Sequence, residues 1–219
     1  MNHSRPPAQA DPAAQTSPSA KALVRRLSGV VWVGFAVVVA KALLAHAAAG
    51  QARDTVDVLF IGNSYVYYNN LADQLEGLSR AMEAGPILRT AHHLHGGFTL
   101  LRHLEDGHLP NVIEGGGPDG REWDVVVIQE HSRLGVAYAD ETTGRLGSDR
   151  GFRDGLAGVM ALVRPTGARV VLYQTWAKAA WPLQAEPLAQ AYEQAARDYG
   201  VTVAPVGRAW ARVRAAHPE

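Results

Sequence analysis

The chain carries one apolar run that ends abruptly in small and polar residues, Val56-Asp57-Val58-Leu59-Phe60-Ile61-Gly62-Asn63-Ser64-Tyr65. Its β-branched and aromatic content predicts a buried strand over residues 56–61. Gly62 permits a sharp turn and Asn63 tolerates unusual backbone angles. Ser64 is therefore expected at the carboxyl end of a first strand, before a helix that begins near Asn69. Open α/β sheets bind ligands at that edge. A serine hydroxyl there can act as a nucleophile or cap a turn.

Predicted strands and helices alternate along the rest of the chain. Further strands are expected at 87–94, 123–128, 168–174 and 201–206, helices at 70–84, 98–104, 152–163, 188–199 and 207–216, and a glycine-rich loop at 111–120. Such alternation implies a parallel sheet with helices on both faces. The predicted fold class is α/β: one three-layer α/β/α domain over residues 54–219, with a five-stranded parallel sheet.

The first fifty residues differ in composition from this domain. Residues 1–22 are rich in Pro, Ala, Gln and Ser and are expected to be disordered. Residues 23–50 contain basic side chains, then an apolar run from Leu27 to Ala40, then small residues. This pattern is typical of a signal peptide. We therefore expect a secreted or periplasmic protein; the alternative is a membrane anchor formed by residues 27–49.

Charge and cysteine content exclude several function classes. The 21 basic and 21 acidic residues give a formal net charge of zero, which does not favour nucleic acid as a partner. Contact with a membrane is expected only through the N-terminal segment, if that segment is uncleaved. The chain contains no Cys, which excludes disulfides, thiolate metal sites and a cysteine nucleophile.

Polar residues follow three of the predicted strands. Gly62-Asn63-Ser64 follows the first, His95-Gly96-Gly97 the second, and Gln129-Glu130-His131-Ser132 the strand at 123–128. Because the carboxyl ends of parallel strands share one edge of the sheet, the three clusters should converge on one cleft. A glycine at such a place leaves a backbone N–H that a ligand can approach closely.

In order and spacing these clusters resemble the SGNH (GDSL-type) hydrolases, a family with a flavodoxin-like α/β/α fold. The resemblance covers about residues 56–206 and is carried mainly by the first and third clusters. The third cluster departs from the family's Gly-x-Asn-Asp, which indicates a divergent branch.

The resemblance implies a serine ester hydrolase that needs no cofactor. Ser64 would be the nucleophile. Its own N–H, the N–H of Gly97 (or of Gly96) and the Gln129 side chain would form the oxyanion hole. Further residues expected to line the cleft are Asn63, Tyr65, His95, Gly96, Glu130, His131 and Trp176.

The family's base is the His of an Asp-x-x-His sequence after the last strand, and no such sequence occurs in this chain. His217 is preceded at the corresponding position by Arg214, and a terminus positions a base poorly. We therefore expect that the catalytic Asp and His lie beyond residue 219 and that the chain as given is impaired as an enzyme. The alternative is a non-catalytic ligand-binding or degenerate domain that kept the cleft.

Trp176, which follows the fourth predicted strand, has two open interpretations. Its ring could stack on a sugar, or it could pack beneath the following loop. Together with the predicted export, the first interpretation favours acyl groups on carbohydrate or cell-envelope material. The expected partner is a small-molecule or glycan ester.

Three histidines, His92, His93 and His95, cluster at the end of the second predicted strand. His93 and His95 would share a face, and with Glu130 or Asp124 they could bind zinc. The alternative is that they line the cleft or pack beside it. No third ligand occurs at a characteristic spacing, so the sequence predicts no metal site.

Overall fold

A computed structural model describes residues 55–134, 138–140 and 143–217. The strands are β1 (Thr55–Gly62), β2 (Ile87–Leu94), β3 (Val125–Ile128), β4 (Tyr138–Asp140), β5 (Arg145–Leu146), β6 (Arg169–Tyr173) and β7 (Thr202–Ala204). The helices are α1 (Ser64–Tyr67), α2 (Leu71–Ala81), α3 (Leu100–Glu105), α4 (Leu109–Glu114), α5 (Arg150–Val163), α6 (Ala185–Tyr199) and α7 (Val206–Ala216). Short 3-10 turns cover Pro118–Gly120, Arg164–Thr166 and Pro182–Gln184.

Five strands form one parallel sheet in the order β2-β1-β3-β6-β7. The strand β1 lies inside the sheet and pairs with β2 on one side and β3 on the other. Ile61 therefore lies between His93 and Ile128 in register. All five carboxyl ends meet at one edge, which places the residues after β1, β2 and β3 together.

Side chains alternate between two apolar layers, one on each face of the sheet. Leu59 and Ile61 of β1 contribute to the layer beneath α5 and α6, whereas Val58 and Phe60 contribute to the layer beneath α2 and α7. This period of two is the ordinary consequence of the extended backbone. It explains why β1 is apolar along nearly its whole length, since both of its faces are covered.

The predicted fold class is confirmed. The structure has a five-stranded parallel sheet with helices on both faces. One local prediction was wrong, and two features were not predicted. The segment 111–120 is not all loop, because α4 extends to Glu114. The helix expected near Asn69 is α2, but the single turn α1 that begins at Ser64 was not predicted. The antiparallel pair β4–β5 was not predicted.

The predictions for residues 1–22 and 23–50, disorder and a signal peptide or anchor, lie outside the described residues. Within the described ranges, no helix combines the length and the hydrophobicity that a membrane crossing requires.

Close packing of α3 on α5 depends on glycine. A methyl group on Gly155 would lie 2.8 Å from Leu100 Cβ and 3.0 Å from the Leu101 nitrogen. Gly158, one turn further, faces the Leu104 side chain. The two helices can approach this closely only because Gly155 has no side chain, and this approach holds α3 against the carboxyl edge of the sheet.

We predict that Gly155→Ala destabilises the protein by about 1–3 kcal/mol, because the added methyl group has no space. Gly77→Ala is the matched control. Gly77 also lies within a helix, α2, but it is exposed, and a methyl group there meets no atom within 4 Å. This control should stabilise the protein by about 0.5–1 kcal/mol through helix propensity. Urea denaturation measures both, and equal effects at the two positions would contradict the packing argument.

Candidate active site

The turn after β1 is held from the neighbouring strand β3. The Asn63 N–H donates to Gln129 Oε1 over 2.9 Å, and the Gln129 N–H donates to the Ile61 carbonyl over 2.9 Å. A methyl group on Gly62 would lie 2.6 Å from Gln129 Oε1. Glycine is therefore required at the end of β1 because the Gln129 side chain crosses directly over it.

Asn63 connects this turn to the segment after β2. Its side-chain amide donates to the Phe98 carbonyl over 2.9 Å, and its Oδ1 accepts from the Tyr65 N–H over 3.2 Å. The side chain is buried and caps α1. Asn63 thus fixes both the start of α1 and the neighbouring loop, which is a positioning role.

The segment after β2 lies beside this turn. The His95 N–H donates to the Gly62 carbonyl over 3.1 Å, and a methyl group on Gly96 would lie 3.0 Å from the Tyr67 hydroxyl oxygen. Gly97 has a φ of +71° and open space around its Cα. A left-handed backbone of this kind favours glycine. Within the described part of the chain, the Gly97 N–H has no hydrogen-bond acceptor.

Ser64 is the first residue of α1 and is partly exposed at the carboxyl edge of the sheet. Neither its hydroxyl nor its backbone N–H makes a hydrogen bond to another described residue. The strand ends carrying Gly62, Gly97 and Gln129 therefore meet around it, as the topology predicts. The arrangement provides a hydroxyl and two open backbone N–H groups on one edge, which are elements of an oxyanion site.

The contacts of Gln129 differ from those expected of an oxyanion donor. Its amide nitrogen donates to Asn63 Oδ1 over 3.1 Å and also to the Glu130 carbonyl. Both amide hydrogens are thus engaged, and the residue is 1% exposed. In this structure Gln129 braces the turn beneath Ser64 and does not offer a hydrogen to a ligand.

Glu130 is a fully buried carboxylate with no cationic partner among the described residues. Its Oε2 accepts from the Leu100 N–H over 3.1 Å and its Oε1 from the His131 N–H over 2.5 Å. Burial raises the pKa of Glu130 to about 7, and these two hydrogen bonds only partly oppose the shift. Glu130 ties the end of β3 to the first residue of α3 and does not line the open part of the cleft.

His131 is the next side chain along. Its Nδ1 accepts from the Arg133 N–H over 3.3 Å, which assigns the hydrogen of the neutral ring to Nε2. Burial lowers the pKa of His131, and nearby Arg133 and Lys178 lower it further. The ring is therefore neutral at pH 7 and is a hydrogen-bond donor through Nε2.

Trp176, after β6, reaches the site through Tyr65. The two ring centroids are 4.3 Å apart, with an interplanar angle of 37°, and Trp176 also lies 5.9 Å from Trp210. Trp176 remains partly exposed. Trp176 packs on α7 through Trp210 and also contacts Tyr65, the residue after Ser64. Its position is therefore compatible with both interpretations, a packing role and stacking on a sugar.

No described histidine forms a hydrogen bond with the Ser64 hydroxyl. The helix α7 begins at the carboxyl edge, where the Gly207 N–H donates to the Gln174 carbonyl over 3.1 Å. His217 follows the end of this helix. At a rise of about 1.5 Å per residue, the end of the helix lies about 15 Å along the axis from its first residue, Val206. This position is at the far end of α7 from the strand edge.

The fold brings His103 and Asp106, which sequence reasoning missed, to His93 and His95. One ring nitrogen from each of the three histidines lies within 4.8 Å of the others. Asp106 Oδ2 lies 3.7 Å from His93 Nε2 and 3.9 Å from His95 Nε2. The sequence shows no third ligand at a characteristic spacing, whereas the fold brings a third histidine, His103, to His93 and His95. The spacing His103-x-x-Asp106 on one helical turn was the available signal.

Comparisons with known proteins identify the fold. No protein-family model and no curated protein sequence matches the chain. Among solved structures, a proposed SGNH hydrolase from Slackia heliotrinireducens is 24% identical, with a TM-score of 0.50 over 68% of this chain and 78% of that one. A point mutant of the esterase AlinE4 is 16% identical, with a TM-score of 0.52 over 69% of this chain and 76% of that one.

A third similar structure is a catalytic mutant of Axe2, an acetylxylan esterase from Geobacillus stearothermophilus. It is 15% identical, with a TM-score of 0.50 over 68% of this chain and 74% of that one. These likenesses show that the chain has the fold of the SGNH hydrolases. The relationship expected from the sequence is thus confirmed at the level of the fold.

We predict that the stability difference between Glu130→Gln and the wild type depends on pH and shifts in favour of the variant as the pH rises. This shift comes on top of a pH-independent cost, because the glutamine NH₂ cannot accept one of the two backbone N–H bonds. The pKa of Glu130 is about 7 in the folded chain, whereas its ordinary value, expected in the unfolded chain, is 4.5. As the pH rises, the unfolded chain releases its proton first, so the wild type loses stability between those two values. Glutamine does not titrate. The difference should therefore shift in the variant's favour by about 3 kcal/mol over that interval and then level off.

Urea denaturation at a series of pH values measures this difference. Glu114→Gln, at an exposed position, is the control and should show no pH-dependent difference from the wild type. A constant difference between Glu130→Gln and the wild type across the series would contradict a buried, proton-binding carboxyl group.

Proposed function

We propose that this protein is a serine ester hydrolase of the SGNH type, with Ser64 as its nucleophile. The observation that carries the proposal is the position of the Ser64 hydroxyl. It lies at the carboxyl edge of the sheet, at the start of α1, and the segment that carries Gly97 is held beside this turn by hydrogen bonds from His95 to Gly62 and from Asn63 to Phe98. The similarity of fold to SGNH esterases is consistent with this assignment and does not by itself establish it.

In the proposed reaction Ser64 Oγ attacks the ester carbonyl carbon and loses its proton to a base. The carbonyl oxygen becomes an oxyanion, which accepts hydrogen bonds from the N–H groups of Ser64 and Gly97. Collapse of the tetrahedral intermediate breaks the bond to the alcohol, which leaves with a proton. Water then attacks the acyl-serine, releases the acid and restores the hydroxyl.

Oxyanion stabilisation is assigned to backbone groups because the Gln129 amide hydrogens are engaged elsewhere. The proton acceptor is not assigned, since no described histidine contacts Ser64. A site of this kind retains only the part of catalysis that comes from binding and the oxyanion hole. We therefore propose that the chain as given is a slow esterase.

The substrate class we propose is small acyl esters of carbohydrate. The partly exposed Trp176 ring packs against Tyr65 at a tilt of 37°, and Tyr65 is the residue that follows the proposed nucleophile. An aromatic face next to a reacting serine suits the apolar face of a sugar. Acetylated polysaccharide or cell-envelope material would also be accessible to a secreted or periplasmic protein, which is the location we propose from residues 23–50.

A non-catalytic ligand-binding domain is the second candidate. It is favoured by one observation, the absence of a hydrogen bond between the Ser64 hydroxyl and any described residue. Such a domain would use the same cleft and the same aromatic face without forming an acyl-serine.

We predict that a fluorophosphonate probe labels the wild type at Ser64, because only an activated serine next to oxyanion donors attacks phosphorus readily. Peptide mass spectrometry locates the adduct, and hydrolysis of p-nitrophenyl acetate measures turnover. Ser64→Ala should lose the label and at least about tenfold of the turnover. Ser148→Ala, at an exposed position in the segment before α5, is the control and should behave as the wild type.

A second measurement on the same proteins separates the two candidate functions. If neither the wild type nor Ser64→Ala is labelled or turns over ester, while both bind an acetylated xylo-oligosaccharide equally, the binding domain replaces the esterase.

We predict that Trp176→Ala raises KM for an acetylated xylo-oligosaccharide by about tenfold, as expected for loss of one stacking contact. The value of kcat should change little, because the ring does not contact the ester carbonyl. Turnover of p-nitrophenyl acetate, which has no sugar, serves as the control in the same variant. Equal losses on both substrates would indicate that Trp176 acts through packing on Tyr65 and Trp210.

A further inference from the structure

Four side chains that the ester chemistry does not use meet beside the candidate active site. His93 is the seventh residue of β2 and His95 follows the strand, so the two share one side of the extended chain. His103 lies on α3, and Asp106 follows the end of that helix one turn later. We refer to His93, His95, His103 and Asp106 as the histidine cluster.

The distances within the cluster are close to those of a metal site. The three histidines each present a ring nitrogen within 4.8 Å of the others. Asp106 Oδ2 lies 3.7 and 3.9 Å from the Nε2 atoms of His93 and His95. Donor atoms in a tetrahedral zinc site are about 3.3 Å apart, since each lies about 2.0 Å from the metal. Shortening the widest of these separations by about 1.5 Å would give this geometry, and the His95 side chain is partly exposed.

Two buried nitrogen atoms in the cluster lack hydrogen-bond partners among the described residues, His93 Nε2 and His103 Nδ1. His93 is 8% exposed and His103 is fully buried. A buried polar atom without a partner costs about 1–3 kcal/mol, so native structures rarely keep one without a reason. A ligand that binds both nitrogens would remove this cost.

The tautomer of His103 points to a metal as that ligand. Its Nε2 lies 2.9 Å from the Gly62 carbonyl, which cannot donate, so the hydrogen is on Nε2 and the lone pair is on Nδ1. Histidines that bind metals commonly donate their other N–H to a backbone carbonyl in this way. Burial lowers the pKa of His93 and brings the pKa of His103 to about 4, so both rings are neutral at pH 7.

The two oxygens of Asp106 have separate neighbours. Oδ2 faces His93 and His95, whereas Oδ1 lies 3.4 Å from Nε2 of the exposed His108. Oδ2 is therefore available to the histidine cluster, whereas Oδ1 contacts His108 outside it. A carboxylate beside three imidazoles also supplies negative charge, which favours a divalent ion.

We propose that His93, His95, His103 and Asp106 together bind one divalent transition-metal ion, most favourably Zn²⁺. Three imidazole nitrogens and one carboxylate match the ligand preferences of zinc, whereas Mg²⁺ and Ca²⁺ prefer oxygen ligands. Four protein ligands occupy all positions of a tetrahedral ion, which defines a structural site. The ion would join the end of β2 to α3.

The experiment uses the whole chain after removal of any purification tag. The protein is equilibrated with ZnCl₂, dialysed against metal-free buffer and analysed for zinc by mass spectrometry. The wild type should retain one equivalent. His95→Ala and Asp106→Ala should weaken zinc binding at least about tenfold in competition with a chromophoric chelator, as the loss of one ligand predicts. Co²⁺ in place of zinc should give the strong visible absorption of a tetrahedral site in the wild type but not in His95→Ala or Asp106→Ala.

His92→Ala is the matched control, because His92 lies on β2 between Ala91 and His93 but is exposed. It should retain zinc as the wild type does. Ser64→Ala should also retain zinc, so the metal site is tested separately from the proposed esterase. Loss of zinc in His92→Ala equal to that in His95→Ala would overturn the assignment, as would a wild type that retains none.

Thermal unfolding provides a readout that does not depend on a variant's yield. Zinc should raise the Tm of the wild type and of His92→Ala, because a ligand that binds only the folded state stabilises it. It should raise the Tm of His95→Ala clearly less, because the weakened site binds less zinc; the His95 side chain is partly exposed in the folded protein and can be truncated without opening the core. An equal zinc effect on all three proteins would overturn the proposal.

Discussion

The position of the candidate nucleophile depends on one constraint, the crowding around Gly62 at the end of β1. The Gln129 side chain occupies the place where a Cβ would be, and it holds the next residue, Asn63, by its N–H. On the other side, the Gly62 carbonyl accepts from the His95 N–H and lies 2.9 Å from His103 Nε2. Residues from β2, β3 and α3 therefore converge on one peptide unit. The direction in which the chain leaves β1, and hence the location of Ser64, follows from these contacts.

This convergence explains why polar side chains are buried at a sheet edge that would otherwise be apolar. Asn63, Gln129 and Glu130 are each no more than 1% exposed, and all three use their polar atoms to connect separate segments of backbone. Such a network stabilises a fold only if its members are satisfied. Glu130 meets that condition through one backbone donor to each carboxyl oxygen, but the group is buried without a cation among the described residues, and its pKa is raised to about 7.

The sequence predicted the sheet well because its strands are continuous apolar runs. Val125–Ile128 and Arg169–Tyr173 are almost entirely β-branched or apolar. Because both faces of these strands are covered, the apolar run can be recognised from the sequence without knowing which elements pack on it. The four-residue helix at Ser64 has no periodicity to detect. The sequence could not predict the role of Gln129, because that role depends on the direction of its side-chain amide. The direction is set by the packing of the side chain over Gly62. The histidine cluster was hidden because its members come from a strand and a helix, and their proximity requires α3 to pack on α5 through Gly155.

The histidine cluster and the candidate active site share Gly62 but are chemically separate. His103 Nε2 faces the Gly62 carbonyl, so its remaining lone pair, on Nδ1, is directed away from the turn that carries Ser64. A metal held by all four side chains has no open position for water or substrate, and water activation requires one. An ion there would act on Ser64 only through the backbone, by fixing the imidazole that contacts Gly62. Ester chemistry at Ser64 and ion binding at the cluster are therefore expected to be lost independently of one another.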